Sequence, residues 1–316
     1  MKRTINKEEI LSSIGKVLVL MGGSSAERQV SLDGGRAVIN GLLRMGVQAE
    51  VLDVQDGLVS ELIKRKPDMV FNMLHGRGGE DGVLQGVLEY LGIPYTGSGV
   101  LASALSLDKA KSKQIWLQQG LPTAPFELLN GGSNWQEIID RLGSVVVKPV
   151  NEGSSIGISI VHDAVALANA FIEAEKFDSR VMAEQYIEGG EFSVGVLGDS
   201  TLPSIQLETD HQFFDYDAKY VDESTRVTCP AKLTPEKARE LDTIVLSAYR
   251  SLGCEGLARI DIMQDRDENF FLLEANTIPG MTEHSFLPHA ASVAGMSFDD
   301  LLLRILTAKS ESQSVE

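Results

Sequence analysis

The sequence predicts an α/β protein that becomes α+β in its later part, and three observations support this prediction. The chain has 316 residues, which is enough for two or three domains around a large core. Its first hundred or so residues alternate short apolar runs with helix-like stretches, as in a parallel sheet covered by helices. Beyond them the apolar runs come in pairs joined by short polar loops, as in β-hairpins.

The first part of the chain has a βαβα order. Its predicted strands and helices alternate at residues 16–23, 34–45, 49–54, 59–64, 69–74 and 83–92. Two polar segments, "GGSSAERQVS" and "HGRGGEDG", follow the first and third strands. Because sites in parallel sheets lie at the carboxyl ends of the strands, we expect binding residues in these two segments.

The later part combines helices with paired strands. In order, its pattern predicts a helix at 105–120, a proline-marked linker at 121–129, strands at 144–150 and 156–161 around a tight loop, a helix at 163–175 and a strand at 180–187. A hairpin turning at Gly198-Asp199 follows, and a helix begins at a Thr234 cap and ends at Gly253. Residues 211–230 are polar and aromatic without a clean period, which favours a functional loop.

Composition limits the class of protein. A formal net charge of −17 argues against a broad nucleic-acid surface, so an anionic ligand must meet local cations or a metal. The two cysteines, Cys229 and Cys254, form no CxxC pair, which favours idle thiols in a reducing compartment. We expect no signal peptide, no membrane span and a cytoplasmic location, since no long apolar run occurs.

An acidic pair lies near the C-terminus. Residues 256–264 and 270–276 predict a hairpin with Arg259 and Asp261 on one face of the first strand. On the second strand, strict alternation puts Phe270, Leu272, Glu274 and Asn276 on a common face, opposite the face that carries Phe271, Leu273 and Ala275.

One register of this hairpin makes a cation site. If Arg266 faces Asn269 across a two-residue turn, Asp261 lies opposite Glu274 and Arg259 opposite Asn276. Two carboxylates at that separation repel unless they are protonated or bridged by a cation. Asp261, Glu274 and the Asn276 amide oxygen form a hard-oxygen set suited to Mg²⁺. A solvated acidic face is the alternative.

Other segments carry weaker signals for anions and zwitterions. Lys148 ends an apolar strand before a loop rich in glycine and serine, which suits phosphate as well as an ordinary turn. The serine-rich start of the first helix suits an anion, whereas Glu27 within it favours an ammonium group or simply caps the helix. His75 follows another strand, and a lone histidine is more often structural.

Five segments together carry a family resemblance. They are "GGSSAERQVSL", "HGRGGEDG", "KPVNEGSSIGIS", "DYDAKY" and "RIDIM…LLEANTIPGMTEHS", in this order between residues 22 and 288. With them the chain resembles the D-alanine–D-alanine ligases of the ATP-grasp superfamily. The resemblance implies a parallel-sheet domain at 1–103 and two mixed α/β domains at 104–186 and 187–316 that hold ATP between them. A mobile loop at about 209–226 would close over the nucleotide.

The reaction that this resemblance implies has two steps. ATP phosphorylates the carboxylate of one D-alanine, which gives an acyl phosphate and ADP. The amine of a second D-alanine then attacks, a tetrahedral intermediate forms and phosphate leaves. The dipeptide product would serve peptidoglycan precursor synthesis. D-Alanine and ATP are the implied partners, and a homodimer is expected by analogy.

The resemblance also assigns roles to the substrate-site residues. Glu27 would bind the ammonium of the first D-alanine and form a hydrogen-bonded set with Ser154 and Tyr220. Arg259 and the backbone N–H of Gly280 would form the oxyanion hole. The second D-alanine would bind through Ser285, next to Phe286. At the position of Phe286, relatives often carry leucine. His75 would lie near the reacting groups.

On the nucleotide side the resemblance implies a second set of residues. The ATP phosphates would meet Lys109, Lys148 and Lys219. The adenine pocket would be lined by Glu184, Tyr186 and Ile187, with Glu191 on the ribose. Asp261, Glu274 and Asn276 would hold two Mg²⁺ or Mn²⁺ ions. Tyr220 favours an amine over a hydroxy acid as second substrate. Two alternative functions remain: another ATP-grasp carboxylate–amine ligase and a non-catalytic nucleotide-binding module.

Overall fold

The computed structural model describes residue 11, residues 14–208 and residues 226–312. The strands are β1 (Val17–Gly22), β2 (Ala49–Val54), β3 (Met69–Asn72), β4 (Phe126–Leu129), β5 (Val145–Pro149), β6 (Ser159–Val161), β7 (Val181–Gln185), β8 (Gly189–Leu197), β9 (Ser200–Thr201), β10 (Ile205–Glu208), β11 (Arg226–Thr228), β12 (Leu257–Asp265) and β13 (Phe270–Asn276). The helices are α1 (Arg28–Arg44), α2 (Leu58–Arg65), α3 (Val83–Leu91), α4 (Val100–Leu107), α5 (Lys109–Gln118), α6 (Trp135–Leu142), α7 (Ala164–Ala174), α8 (Pro235–Ser251), α9 (Phe286–Val293) and α10 (Phe298–Ser312).

The first sheet is parallel, with the order β2-β1-β3, as the βαβα pattern predicts. Helix α1 begins several residues before the predicted stretch at 34–45 because its first turns face the sheet with small and polar residues. Ser31 is buried there; its hydroxyl accepts the Gly22 N–H and donates to the Met73 carbonyl oxygen at 2.5 Å. Gly35 then lets the helix approach, since a Cβ there would lie 2.6 Å from Met21 Cβ.

The single helix predicted at 105–120 is wrong. Asp108 divides it, because its backbone is extended and its carboxylate accepts the Lys111 N–H to cap a new helix. This break matters for the site because Lys109 becomes the first residue of α5, and its N–H donates to the Val150 carbonyl.

The second sheet is antiparallel, with the order β4-β7-β5-β6. The predicted linker at 121–129 contains β4, which pairs with β7 along its whole length, so that prediction is wrong for residues 126–129. Strand β6 begins only at Ser159, and residues 150–158 form a longer loop than the tight turn expected. In this loop Ser154 and Ser155 have positive φ angles, 50° and 59°.

The third sheet has the order β11-β10-β8-β12-β13, with β9 folded back onto β8. The predicted hairpin turn at Gly198-Asp199 is confirmed, with Gly198 at a φ of 62°. The predicted helix after Thr234 is also confirmed as α8, since the threonine hydroxyl accepts the Lys237 N–H and Pro235 opens the helix.

The hairpin of β12 and β13 contains a bulge. Asp261 lies opposite Glu274 and Arg259 opposite Asn276, as predicted, but Ile262 lies opposite Leu272. One extra residue, Leu273, therefore stands in β13.

The outer end of this hairpin differs from the prediction. Arg266 does not face Asn269; instead Asp265 bonds to Asn269, and Glu268 closes the turn at a φ of 63°. The turn therefore holds three residues, 266–268, instead of the two that were predicted. This extra residue offsets the one that the bulge adds to β13, so Asp261 still lies opposite Glu274 and Arg259 opposite Asn276.

The bulge also corrects the predicted faces of β13. Phe270 and Leu272 are buried in the core together with Ala275, so they do not share the face of Glu274. Leu273 instead lines the same cavity as Glu274. The bulge thus changes which side chains alternate inward, and it turns an apolar residue toward the site.

The hydrophobic cores join the sheets to helices distant in sequence. The first sheet packs against the C-terminal helices, with Val19 and Phe71 in one cluster with Leu287 and Leu302. Trp116 of α5 packs with α8 against the third sheet, and the second sheet packs with α6 and α7 in a separate core. Along the described part of the chain, no helix combines the length and apolar character needed to span a bilayer.

We expect Gly189→Ala to destabilise the fold by about 2–3 kcal/mol, because a Cβ there would lie 1.8 Å from the backbone oxygen of Gln264. Gly190→Ala is the matched control: its Cβ would meet only the Phe192 ring at 3.2 Å. Denaturant unfolding of both variants measures the difference. Equal free energies of unfolding for the two variants would contradict the close approach of β8 and β12.

Candidate active site

Two cavities meet between the three sheets. A cavity of about 470 Å³ lies between the second and third sheets, and one of about 570 Å³ lies between the third sheet and the carboxyl ends of the first. Lys109, Gly153, Ser154 and Glu274 line both. We call the first the nucleotide cavity and the second the substrate cavity.

Glu27 anchors the substrate cavity. It precedes α1 directly, and the Ser154 hydroxyl donates to its Oε1 at 2.6 Å. Gly76 and Gly153 flank the carboxylate so closely that a Cβ would lie 3.2 Å or 2.8 Å from Oε2. Tyr220, the third member of the predicted set, and Lys219 lie outside the described residues.

The loop at 150–158 is fastened from two sides. Lys109 Nζ donates to the Glu152 carbonyl at 2.7 Å, and Arg77, between β3 and α3, ion-pairs with the Glu152 carboxylate at 3.4 Å. Arg77 also lies 3.3 Å from Asp178, whose other oxygen accepts the Asn151 N–H. These contacts hold the loop over the junction of the two cavities.

The acidic hairpin carries its own counter-charges. Asp261 accepts hydrogen bonds from Arg259 Nε at 2.9 Å, Arg259 Nη2 at 2.7 Å, the Ser193 hydroxyl at 2.6 Å and the Asn276 amide at 3.0 Å. Glu274 lies 3.2 Å from Lys109 Nζ. Burial alone would lower the pKa of Lys109, but the carboxylates around it, Glu274 foremost, together outweigh burial and raise the pKa, so Lys109 stays charged.

The donors of this hairpin fit a hard divalent cation. Asp261, Glu274 and Asn276 offer carboxylate and amide oxygens from paired positions of adjacent strands. Among the described residues no group of three or more His, Cys, Asp and Glu side chains is arranged for a metal. The predicted set is consistent with this, since it contains only two carboxylates and takes its third oxygen from an amide.

The inner end of the nucleotide cavity holds a buried ion triad. Glu184 ion-pairs with Lys148, and its Oε2 lies 2.8 Å from Lys113 Nζ. Burial lowers the pKa of Lys113; it would raise that of Glu184, but the two lysines outweigh it and the pKa of Glu184 is lowered. Lys113 also donates to the Thr123 hydroxyl at 2.6 Å and to the Leu272 carbonyl at 3.1 Å.

Sequence reasoning missed Lys113. The available signal was its spacing, four residues after Lys109 on one helix, which puts both side chains on the same face. The predicted nucleotide residues that the structure describes all line this cavity: Lys109, Lys148, Glu184, Tyr186, Ile187 and Glu191.

The substrate cavity brings together the other predicted residues. It is lined by Glu27, His75, Ser154, Arg259, Gly280, Ser285 and Phe286. Ser285 precedes α9, but its hydroxyl bonds to Thr282 rather than capping the helix. A Cβ at Gly280 would lie 2.8 Å from this hydroxyl. The Arg259 guanidinium carbon lies 5.9 Å from the centroid of the Phe286 ring, so the phenylalanine contacts the arginine through its side chain.

Relatives identify the family to which this arrangement belongs. The family model described as D-ala D-ala ligase C-terminus matches residues 115–307, and the corresponding N-terminal model matches residues 54–98. A D-alanine–D-alanine ligase of Chromohalobacter salexigens is 50% identical over 293 residues, 92% of this chain and 93% of that protein. One of Saccharophagus degradans is 49% identical over 296 residues, 93% and 94% of the two chains. The chain belongs to the D-alanine–D-alanine ligase family.

Solved structures of this family have the same fold. A D-alanine–D-alanine ligase from Bacillus anthracis superposes with a TM-score of 0.85 at 34% identity, over 95% of this chain and 99% of that one. The same ligase complexed with ATP gives 0.82 at 33%, with the same coverage. VanG, a D-Ala:D-Ser ligase from Enterococcus faecalis, gives 0.80 at 28%, over 93% and 99%. The ATP-grasp fold class implied by the resemblance is confirmed.

A second carboxyl, Glu80, also lines the substrate cavity and was missed. Its side chain is buried and accepts the N–H groups of Gly76 at 2.7 Å and Ile278 at 3.2 Å. The segment "HGRGGEDG", in which binding residues were expected, contains it, but the sequence analysis did not single it out. His75, beside it, has no hydrogen-bond partner for Nε2 within the described ranges, and burial lowers its pKa.

The pKa of Glu80 predicts a pH dependence of stability. Burial first, and then the charge of Glu27, raise the pKa of Glu80 from 4.5 to about 8. Between these values the folded state holds a proton that the unfolded state has lost, so the free energy of unfolding falls as the pH rises. Glu80→Gln cannot titrate and loses this contribution.

Denaturant unfolding at about pH 5.5 and about pH 8 measures this. The wild-type free energy of unfolding should fall between the two by at least about 1 kcal/mol more than that of Glu80→Gln. Other titrating groups affect both proteins alike. Identical pH slopes in the two proteins would contradict the raised pKa.

Proposed function

We propose that the protein joins two D-alanine molecules into D-alanyl-D-alanine while ATP is converted to ADP and phosphate. The observation that supports this most is the junction of the two cavities at Lys109 and Glu274. A nucleotide in one cavity can there bring its terminal phosphate to a carboxylate held in the other. Membership of the family, at about half identity over nine-tenths of the chain, supplies the substrates.

In this proposal the first D-alanine binds through its two charged ends. Its ammonium group lies against Glu27, whose position Ser154 fixes at 2.6 Å. Its carboxylate points toward Lys109, where one carboxylate oxygen attacks the γ-phosphorus of ATP. The bond from that phosphorus to the bridging oxygen breaks, and ADP leaves with the electron pair. Lys109 and Lys148 offset the phosphate charge, and Lys219 is proposed to do the same.

The second step forms the amide bond. The neutral amine of a second D-alanine attacks the acyl carbon, and the developing oxyanion is stabilised by Arg259 and the Gly280 N–H. Asp261 binds the arginine through Nε and Nη2, so the guanidinium is oriented before the charge develops. The attacking nitrogen then loses a proton, which the departing phosphate can take, and the C–O bond breaks with its electron pair leaving on phosphate. Ser285 receives the carboxylate of the second D-alanine, beside Phe286, and burial keeps His75 neutral near the reacting groups.

The nucleotide side and the metal complete the proposal. Adenine would lie near Glu184, Tyr186 and Ile187, with the ribose at Glu191. Asp261, Glu274 and Asn276 would hold two Mg²⁺ or Mn²⁺ ions, which when bound neutralise phosphate charge. Tyr220 would join Ser154 and Glu27 in closing the site.

The remaining features of the proposal concern the whole molecule. We propose units at 1–103, 104–186 and 187–316, with a closing loop at about 209–226. We also propose a homodimer in the cytoplasm, where the product would enter peptidoglycan precursor synthesis. The absence of a membrane-spanning helix in the described ranges is compatible with that location.

ADP release with Mg²⁺-ATP and D-alanine tests the function directly. We expect ADP and dipeptide in equal amounts, and no turnover with L-alanine or when either substrate is omitted. D-Lactate and D-serine are included as second substrates, because a relative is named for D-serine. Folded protein that releases no ADP in response to D-alanine would refute the proposal.

Glu274→Gln tests the metal assignment. We expect kcat to fall by at least about 100-fold, because the cation site loses one of its two carboxylates and Lys109 loses its partner. Asp267→Asn, at the exposed tip of the same hairpin, is the matched control and should retain activity. Calorimetry of Mg²⁺ with a non-hydrolysable ATP analogue should show weakened binding only for Glu274→Gln. Near-normal turnover by that variant would contradict the assignment.

A further inference from the structure

Glu80 is a buried acid with no role in the mechanism above. It is 9% exposed, and its carboxyl lies between the loop at 75–80 and the segment at 278–280. One oxygen accepts the Gly76 N–H and the other accepts the Ile278 N–H, 198 residues away in sequence. Gly76 directly follows His75, and Ile278 precedes Gly280 by two residues.

A carboxyl group suits this position better than its amide analogue. Both neighbours are N–H donors, and a carboxyl offers an acceptor oxygen to each. A glutamine would present its own NH₂ to one of them and leave that buried donor unsatisfied, which is costly. Burial and the nearby Glu27 raise the pKa of Glu80 to about 8, so near neutral pH the group is a protonated carboxyl and adds no second charge beside Glu27.

The loop at 75–80 is already held to its own unit without Glu80. The Ser25 hydroxyl donates to the His75 carbonyl at 2.7 Å. Asn72 and Gln85 both donate to the Gly79 carbonyl, at 3.0 Å and 2.8 Å. Across the described residues, the Glu80–Ile278 hydrogen bond is the one that joins residues 75–82 to residues 277–282. This hydrogen bond therefore links two units of the protein, whereas other contacts already hold the loop in shape.

We propose that Glu80 is a positioning residue that fixes the Gly280 N–H relative to Glu27 and His75. The proposal rests on the ligation reaction above. The first D-alanine is held by the first unit, whereas its oxyanion must meet an N–H of the third. Pro279 restricts the backbone between Ile278 and Gly280, so a fixed Ile278 N–H transmits its position to Gly280. Displacement of this donor weakens stabilisation of the charge that develops in the transition state.

The chain offers a matched control in the next residue. Asp81 also accepts two backbone N–H groups, from Gly78 at 2.8 Å and Val83 at 3.0 Å, but both belong to its own loop. Glu80→Gln and Asp81→Asn therefore remove the same chemistry from the same loop. Only the first loosens the link between units.

The test compares steady-state kinetics of wild type, Glu80→Gln and Asp81→Asn. Rates are expressed per ATP-binding site, counted by calorimetry, so that lost folded protein is not scored as lost activity. For Glu80→Gln we expect kcat to fall about 10- to 100-fold, the KM of the second D-alanine to rise, and the KM of ATP to stay within about twofold. Asp81→Asn should match wild type within about twofold in all three.

Each outcome decides the proposal. If wild type turns over D-alanine and Glu80→Gln matches it per site, the positioning role is wrong while the function stands; an inactive wild type would refute the function itself. A rise in the KM of ATP for Glu80→Gln that equals the loss in kcat would also contradict the positioning role of Glu80. If Glu80→Gln does not fold, Glu80→Asp replaces it, since aspartate is one methylene too short to reach both donors. Failure of both to fold would make Glu80 a structural residue and overturn the proposal.

Discussion

The bulge at Leu273 is the constraint on which the site depends. Strand β13 must bury Phe270, Leu272 and Ala275 against α5 and α8, yet present Glu274 opposite Asp261. A regular strand cannot do both, because its alternation puts Leu272 and Glu274 on one face. One extra residue shifts the alternation between them. The core and the acidic pair are then satisfied by the same strand, and Leu273 is left to line the nucleotide cavity.

The acidic pair in turn organises the buried cations. The chain is strongly acidic overall, yet Lys109, Lys113 and Lys148 are all nearly buried around the nucleotide cavity. A buried ammonium is tolerated only where a carboxylate compensates its lost hydration. Glu274 compensates Lys109, and Glu184 compensates the other two. Each of the three buried lysines beside the cavity therefore has a carboxylate partner.

Most helices and strands, and the residues that meet at the site, could be predicted from the sequence. The local geometry of these elements could be predicted less well. The βαβα order, the α8 cap and the turn at Gly198-Asp199 follow from short-range patterns, and the structure has them. The Asp261–Glu274 pair was also predicted, although two errors offset each other. The sequence contains no mark of the bulge, since an extra apolar residue in an apolar strand changes no pattern.

Other failures share one physical origin, which is that a distant part of the chain decided the local structure. Asp108 breaks a helix that its own sequence allows, and it also ion-pairs with Arg180, which lies 72 residues further along the chain. Residues 126–129 look like a linker until β7 supplies a partner. Glu80 and Lys113 were missed because a charged residue that will be buried cannot be told from a surface one in the sequence. Their partners, Ile278 for Glu80 and Glu184 for Lys113, come close only in the folded chain.

The loop at 150–158 is tied to all three sheets. Lys109 Nζ donates to the Glu152 carbonyl of this loop and lies beside Glu274 of β13, while the Ser154 hydroxyl, two residues after Glu152, donates to Glu27 at the start of α1. Ser154 and Ser155 occupy a left-handed conformation that costs roughly 1–3 kcal/mol each outside glycine. Such strain persists only where the surroundings fix it. Here the loop is held by Lys109, which lines the nucleotide cavity, and by Glu27, which lines the substrate cavity. A ligand in either cavity would therefore contact a residue that holds the same loop.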